Sequence, residues 1–239
     1  MNRTILTCIT IIVICLFLPN YYEGFQTING ISNGWFINLD RSKDRMKSVK
    51  SQLHKLSPLI VTRWPAVDGT TLTDKEYNEL HIPYWSRPSF AEESRKKGRK
   101  GEIGCYLSHV NLLKHLNTLE TPPNEGPLIL EDDIKIDGDF VSIWNKAFKA
   151  VPEGWDMIFV GLLGNKVNEV SNGIGKPEWV TGTHAYVVKH SSIPRILHSL
   201  KGFNEPIDEV YGRNVEGLKI YALSPPKIHQ SGSSEMGRS

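Results

Sequence analysis

Three cysteines in 239 residues leave little scope for covalent cross-links. Cys8 and Cys15 lie in the first apolar segment and only Cys105 lies in the body of the chain, so no disulfide within that body is possible. Charge of one sign is equally scarce: a formal net charge of +2 gives no support to a nucleic-acid partner, whose binding domains carry a concentrated basic surface and a pI above roughly 9. Internal repeats and long low-complexity tracts are absent, and the length suits one well-buried domain with a short extension. No apolar run reaches the ~20 residues that span a bilayer comfortably. The longest, residues 5–18, follows Arg3, stops at Pro19-Asn20 and has the length of a signal h-region. No small-x-small cleavage site follows it, and Tyr21, Tyr22 and Phe25 read as interfacial aromatics. Residues 1–26 are therefore expected to be an uncleaved single-pass signal anchor at the membrane, with Arg3 cytoplasmic and the rest of the chain lumenal or exterior. The alternative is secretion after signal cleavage. Residues 27–33 read as a linker, 34–230 as the domain and 231–239 as a polar tail.

From Gly34 onward strand-like and helix-like stretches alternate, which makes the domain α/β. Strands are expected at 35–39, 59–64, 157–160 and 185–188, and helices at 42–56, 102–119, 140–150, 193–200 and around 208–211. Thr73 with Glu76 three residues on has the form of a capping box opening a short helix. Pro83 and Pro88 break regular structure, so residues 82–100 are expected to form a long loop. It carries Arg95, Lys96, Lys97, Arg99 and Lys100. These are either a solvated charge run or, with Gly98, Gly101 and the helix start beyond them, a cradle for a diphosphate.

The strongest chemical signal is the segment Leu128-Ile129-Leu130-Glu131-Asp132-Asp133-Ile134. A continuous apolar run reads as a strand buried on both faces, and it ends in three carboxylates. At the carboxyl edge of an open α/β sheet, where ligands bind, clustered acids repel one another unless a cation compensates them. A hard divalent ion shared with substrate phosphates fits. A solvated acidic turn, with Asp133, Asp137 or Asp139 capping the next helix, fits too. In the helix from Glu102, residues Ile103, Tyr106, Leu107, Val110 and Leu113 share one face at about 100° per residue, widened by Cys105, Leu112 and Leu116. His109 falls within that arc, either as a satisfied core histidine or as a ligand.

With these segments in view, the chain resembles glycosyltransferase family 25, the lipopolysaccharide and collagen glycosyltransferases. The similarity runs in family order through Phe36-Ile37-Asn38-Leu39-Asp40-Arg41 with Asp44-Arg45, Pro65-Ala66-Val67-Asp68-Gly69, the stretch from Gly101 to His109, and Leu130-Glu131-Asp132-Asp133. It continues through Trp155-Asp156-Met157-Ile158-Phe159-Val160-Gly161, Gly182-Thr183-His184-Ala185-Tyr186 and Pro206-Ile207-Asp208-Glu209. The resemblance implies a GT-A type nucleotide-sugar-binding mixed sheet flanked by helices. It implies inverting transfer of a hexose, galactose or glucose, from a UDP-sugar, assisted by Mn²⁺ (or Mg²⁺), to a hydroxyl of a glycan or of hydroxylysine in a collagen-like protein. Asp132 and Asp133 are then the expected metal ligands, with His229 completing the shell and Glu131 ligating or orienting them. Asp208, with Glu209 beside it, is the expected base that takes the acceptor proton. Asn38, Arg41 and Arg45 border the nucleotide pocket, and Ser108 and His109 lie near the donor phosphates or the metal. A noncatalytic nucleotide- or sugar-binding protein on the same scaffold, or a metal-dependent nucleotidyltransferase or phosphohydrolase, would use the same carboxylates.

Overall fold

The computed structural model describes residues 28–73, 75–76, 92–164, 166–201, 206–214 and 217–231, with the backbone alone described over 92–99. The expected anchor, the first ten residues of the expected loop and nearly all of the polar tail lie outside the described residues. Among the described residues no helix is long and apolar enough to cross a membrane.

In chain order the elements are β1 (Ile31–Asn38), α1 (Lys43–Gln52), β2 (Val61–Pro65), α2 (Glu92–Leu116), β3 (Gly126–Glu131), β4 (Ile134–Ile136) and α3 (Phe140–Phe148). There follow β5 (Met157–Gly161), β6 (Val167–Ser171), β7 (Ile174–Pro177), β8 (Ala185–Val188), α4 (Ile193–Ser199), α5 (Ile207–Arg213), β9 (Ile220–Leu223) and β10 (Ile228–Gln230). Eight strands form one mixed sheet in the order β2-β1-β3-β8-β5-β9-β7-β6, and β10 pairs with β4 in a two-stranded sheet. β1 runs parallel to β2 and β3, whereas β8 lies antiparallel between β3 and β5. That inversion matters for the site, because it brings the amino end of β8 to the same edge as the carboxyl ends of β1, β3 and β5.

The sheet has a core on each face, and strand alternation assigns residues to them. Leu128 and Leu130 of β3 pack with Val49 of α1 and with Phe140 and Trp144 of α3. Ile129 packs on the other side, with Leu112 and Leu113 of α2 and Ile193 and Ile196 of α4. This two-sided burial is why the β3 segment reads as unbroken hydrophobicity.

Several expectations need correction. Ile31 to Asn33, read as linker, belong to β1, because Ile31 is a core residue that pairs with Gly126. Residues 92–100, read as loop, are helical, so α2 begins at Glu92 and there is no helix amino terminus at Glu102 to receive a diphosphate. Gly98 and Gly101, read as part of a diphosphate cradle, are tolerated inside the helix at about 1 kcal/mol each relative to alanine. Gly104 has a packing reason: a Cβ there would stand 2.6 Å from Val67 O and 2.7 Å from Gly69 N. The expected helix over 42–56 is α1 followed by a short 3₁₀ turn, Leu53–Leu56. Thr73 and Glu76 do bond reciprocally as a capping box, at 2.9 and 3.2 Å.

Candidate active site

β3 ends at Glu131, and the chain bends there, so the three consecutive acids part company. Glu131 follows Ile129 toward α2, while Asp132 and Asp133 turn toward α1 and β10. The cluster is therefore two sites on opposite sides of one strand end.

On the α1 side Asp132 and Asp133 are buried, 7% and 5% exposed. Asn38, at the carboxyl end of β1, donates from Nδ2 to Asp132 Oδ2 at 2.6 Å and to the Ser42 carbonyl at 3.1 Å. Arg45, in the first turn of α1, donates from Nη1 to Asp132 Oδ1 at 2.9 Å and holds Nη2 3.5 Å from Asp133 Oδ2. Gln230 of β10 donates to Asp133 Oδ2 at 3.1 Å. Arg63 of β2 supports Asn38 from behind, through its side-chain oxygen at 3.0 Å and its carbonyl at 2.9 Å. Burial raises both carboxyls above their usual range. For Asp133 burial, reinforced by the charge of Glu131, takes it to about 6 despite Gln230 and Arg45; Asp132 is raised less because Asn38 and Arg45 oppose the desolvation.

This donor set fits a hard divalent cation. Among the described residues Asp133 Oδ1 is buried without a hydrogen-bond partner, and one guanidinium faces two carboxylates, so the pair keeps a net negative charge when both are ionised. Oxygen ligands with a spare, desolvated carboxylate oxygen are what Mg²⁺ or Mn²⁺ takes.

On the α2 side Glu131 Oε1 accepts from the Thr183 hydroxyl at 2.7 Å and lies 3.3 Å from His109 Nε2. His109 is fully buried, and its Nδ1 lies 2.8 Å from the Tyr186 hydroxyl. Burial alone would raise Glu131, but the bond and charge of His109 and the Thr183 hydroxyl hold it below the usual carboxylate value. Burial, helped by the charge of Glu131, pushes the Cys105 thiol well above its ordinary value. Burial also depresses His184, whose Nδ1 has no partner among the described residues.

Asp208, in the first turn of α5, closes the same edge of the sheet. Its Oδ2 accepts the Gly182 N–H at 2.9 Å and its Oδ1 the Glu209 N–H at 3.0 Å. Gly182 has φ +81, a left-handed conformation that only glycine adopts without strain. Asp208 thus fixes the turn that leads through Thr183 and His184 into β8, and Glu209 sits half-buried beside it.

The structure brings Asn38, Arg45, Asp132 and Asp133 together, and joins His109 to Glu131 instead. Arg41 is half-exposed and pairs with Asp68 in the loop after β2. Ser108 is buried and bonded to backbone: it accepts the Val67 N–H at 2.8 Å and donates to the Gly104 carbonyl. It clamps that loop onto α2 rather than meeting the acids. His229 is not at the acid pair; strand alternation turns it to the outer face of β10, 3.3 Å from Asp137, and gives Asp133 to Gln230 instead. Gln230 and Arg63 are not among the expected site residues, and Thr183 enters the sequence reading only within the Gly182-Thr183 segment of the family resemblance. Gln230 was visible only as the neighbour of a histidine, and Arg63 as a lone charge in a strand.

A sequence profile described as Glycosyltransferase family 25 (LPS biosynthesis protein) matches residues 32–180. A "Glycosyltransferase 25 family member" of Anopheles gambiae is 30% identical over 165 residues, covering 66% of this chain and 25% of its own length. Procollagen galactosyltransferase 2 of Homo sapiens is 28% identical over 170 residues, covering 66% of this chain and 24% of its own. The chain thus spans about a quarter of the length of these relatives. A solved glycosyltransferase involved in the glycosylation of the major capsid of PBCV-1 aligns over 85% of this chain and 95% of its own, with 8% identity and a TM-score of 0.38, too distant to add to the assignment.

Proposed function

Since this chain belongs to glycosyltransferase family 25, we propose that it transfers a hexose from a UDP-sugar to an acceptor hydroxyl with inversion, on a GT-A type scaffold, using Mn²⁺ or Mg²⁺ held at Asp132 and Asp133. The observation that carries this reading is the buried acid pair at the carboxyl edge of the sheet, with an oxygen on Asp133 that has no partner among the described residues. A divalent ion there supplies Lewis-acid neutralisation of the diphosphate leaving group. Asn38 and Arg45 fix the carboxylates, and Arg45 with Arg41 offers positive charge to the nucleotide. Asp208 takes the proton of the acceptor hydroxyl; each of its oxygens accepts one backbone N–H and keeps a second lone pair for the substrate. Galactose is the favoured sugar and a collagen-like chain or a lipopolysaccharide-like glycan the favoured acceptor, since the relatives' names and the family description point to these; hydroxylysine is the hydroxyl that the family resemblance implies on a collagen-like chain. The 5–18 segment anchors the protein to a membrane in this reading.

The test is UDP release from UDP-galactose and UDP-glucose by the full-length chain, with and without Mn²⁺, comparing wild type with Asp132→Ala plus Asp133→Ala. Metal-dependent release lost in the double variant supports the proposal. Metal-dependent UDP binding with no transfer to any acceptor returns the noncatalytic reading, and absence of nucleotide binding overturns both.

A further inference from the structure

The same strand end carries a second set of ligands of different chemical character. We propose that Cys105, His109 and Glu131 form a separate metal site for a thiophilic divalent ion, Zn²⁺ foremost. Cys105 and His109 stand four residues apart on α2 and therefore on one face of it, and Glu131 reaches them from the end of β3. Their ligand atoms all lie within 4.8 Å of one another. Zinc bonds of about 2.0–2.3 Å in a tetrahedron space the ligands roughly 3.3–3.8 Å apart. The His109–Glu131 pair already meets this at 3.3 Å, and Cys105 Sγ, within 4.8 Å of both, would move about 1 Å to join them.

Three further features suit a metal rather than a plain ion pair. His109 has an outer partner, since Nδ1 lies 2.8 Å from the Tyr186 hydroxyl. A metal-bound histidine characteristically donates its other ring N–H to such a group, which fixes tautomer and ring orientation. A hydroxyl serves either tautomer: it donates to Nδ1 while Nε2–H bonds Glu131, and accepts from Nδ1–H once Nε2 is a ligand. The Thr183 hydroxyl stands at Glu131 Oε1 at 2.7 Å, an outer bond that orients the carboxylate. On binding, the Cys105 S–H proton leaves to solvent, and thiolate plus carboxylate balance the two charges of the ion. Thiolate and imidazole select zinc over the hard ions suited to Asp132 and Asp133, so the two sites differ in the ion they prefer. The ion would lock α2 to the end of β3 and keep Glu131 on its own side of the strand, apart from the acid pair.

The experiment is cobalt substitution of the chelator-stripped full-length chain carrying Cys8→Ser and Cys15→Ser. With three cysteines in the sequence, a thiolate-to-cobalt charge-transfer band in that variant arises only from Cys105. The expected result is this band with tetrahedral cobalt absorption at one equivalent, both abolished by stoichiometric Zn²⁺ and retained in Asp133→Asn. His109→Gln is expected to lose the band and Tyr186→Phe to weaken cobalt binding by 10- to 100-fold, the range for lost outer-shell partners. Cobalt absorption without the thiolate band, or binding abolished by Asp133→Asn but untouched by His109→Gln, overturns the proposal. Because the readout is spectroscopic, failure here leaves Mn²⁺-dependent UDP release at Asp132 and Asp133 a separate question.

Discussion

Asn38 donates its side-chain N–H to Asp132 at 2.6 Å, joining the ends of β1 and β3 across 94 positions of sequence. The same amide group holds the Ser42 carbonyl and its oxygen accepts from Arg63, so one side chain fixes the entry to α1, the edge of β2 and the carboxylate. Asn38→Ala leaves the Asp132 oxygen and the Ser42 carbonyl short of a donor. A cost of about 1–3 kcal/mol is expected in urea unfolding, with Mn²⁺ affinity about tenfold weaker by titration calorimetry. Unchanged affinity in a destabilised variant would show that Asn38 serves the fold alone.

The raised carboxyl of Asp133 gives the metal-free protein a pH signature. Its folded pKa of about 6 lies above the roughly 3.9 of an unfolded aspartate, so the folded state holds the proton more tightly. This group's contribution therefore grows as pH falls from about 7 to 4 and is lost as pH rises through 6. Against Asp133→Asn, wild type should gain about 2–3 kcal/mol over that window in denaturant unfolding, an order-of-magnitude figure from two units at 1.36 kcal/mol each. Mn²⁺ competes with the same proton, so its affinity should drop below pH 6 in wild type. Parallel stability curves for the two proteins would refute the assignment.

How far the sequence disclosed this arrangement depended on which physical signal each element left. β3 and β8 are buried on both faces, and their apolar runs marked them within two residues of their bounds. β6 shows mostly solvent-facing positions, β10 is three residues long, and neither leaves a periodic trace. The acids were plain in one dimension, but their division at the strand end was not: Glu131 looked like part of a triad until Ile129 and His109 fixed which side it faces. His229 is expected in the metal shell from the family resemblance, whereas the register of β10 on β4, with Gln230 opposite Ile134, turns Gln230 toward Asp133 instead.

Ser108 separates a structural reading from a phosphate-binding one. Its hydroxyl accepts the Val67 N–H and donates to the Gly104 carbonyl, and the loop it holds packs so closely that a Cβ on Gly69 would stand 1.6 Å from the Lys100 carbonyl. Ser108→Ala leaves the Val67 N–H unpaired and should cost about 1–3 kcal/mol in stability. The KM for UDP-sugar should stay within about threefold of wild type, a shift of under 1 kcal/mol. A larger rise in KM with intact stability would put Ser108 at the donor after all.

Asp208 presents the sharper choice, because it holds the Gly182 turn and is also the base proposed for the acceptor proton. A base acts in the transition state alone, so its loss lowers kcat and kcat/KM together. A clamp acts on the geometry of the acceptor turn, so its loss raises the acceptor KM. Asp208→Asn keeps the size of the side chain and one accepting oxygen while removing basicity. If Asp208 is the base, kcat should fall by roughly 10²–10⁴ with the acceptor KM little changed. If it only fixes the turn, kcat should hold and Gly182→Ala should reproduce the KM rise, since φ +81 is unfavourable to alanine. The split between kcat and KM in the two variants, measured side by side, therefore decides between a catalytic and a positioning residue.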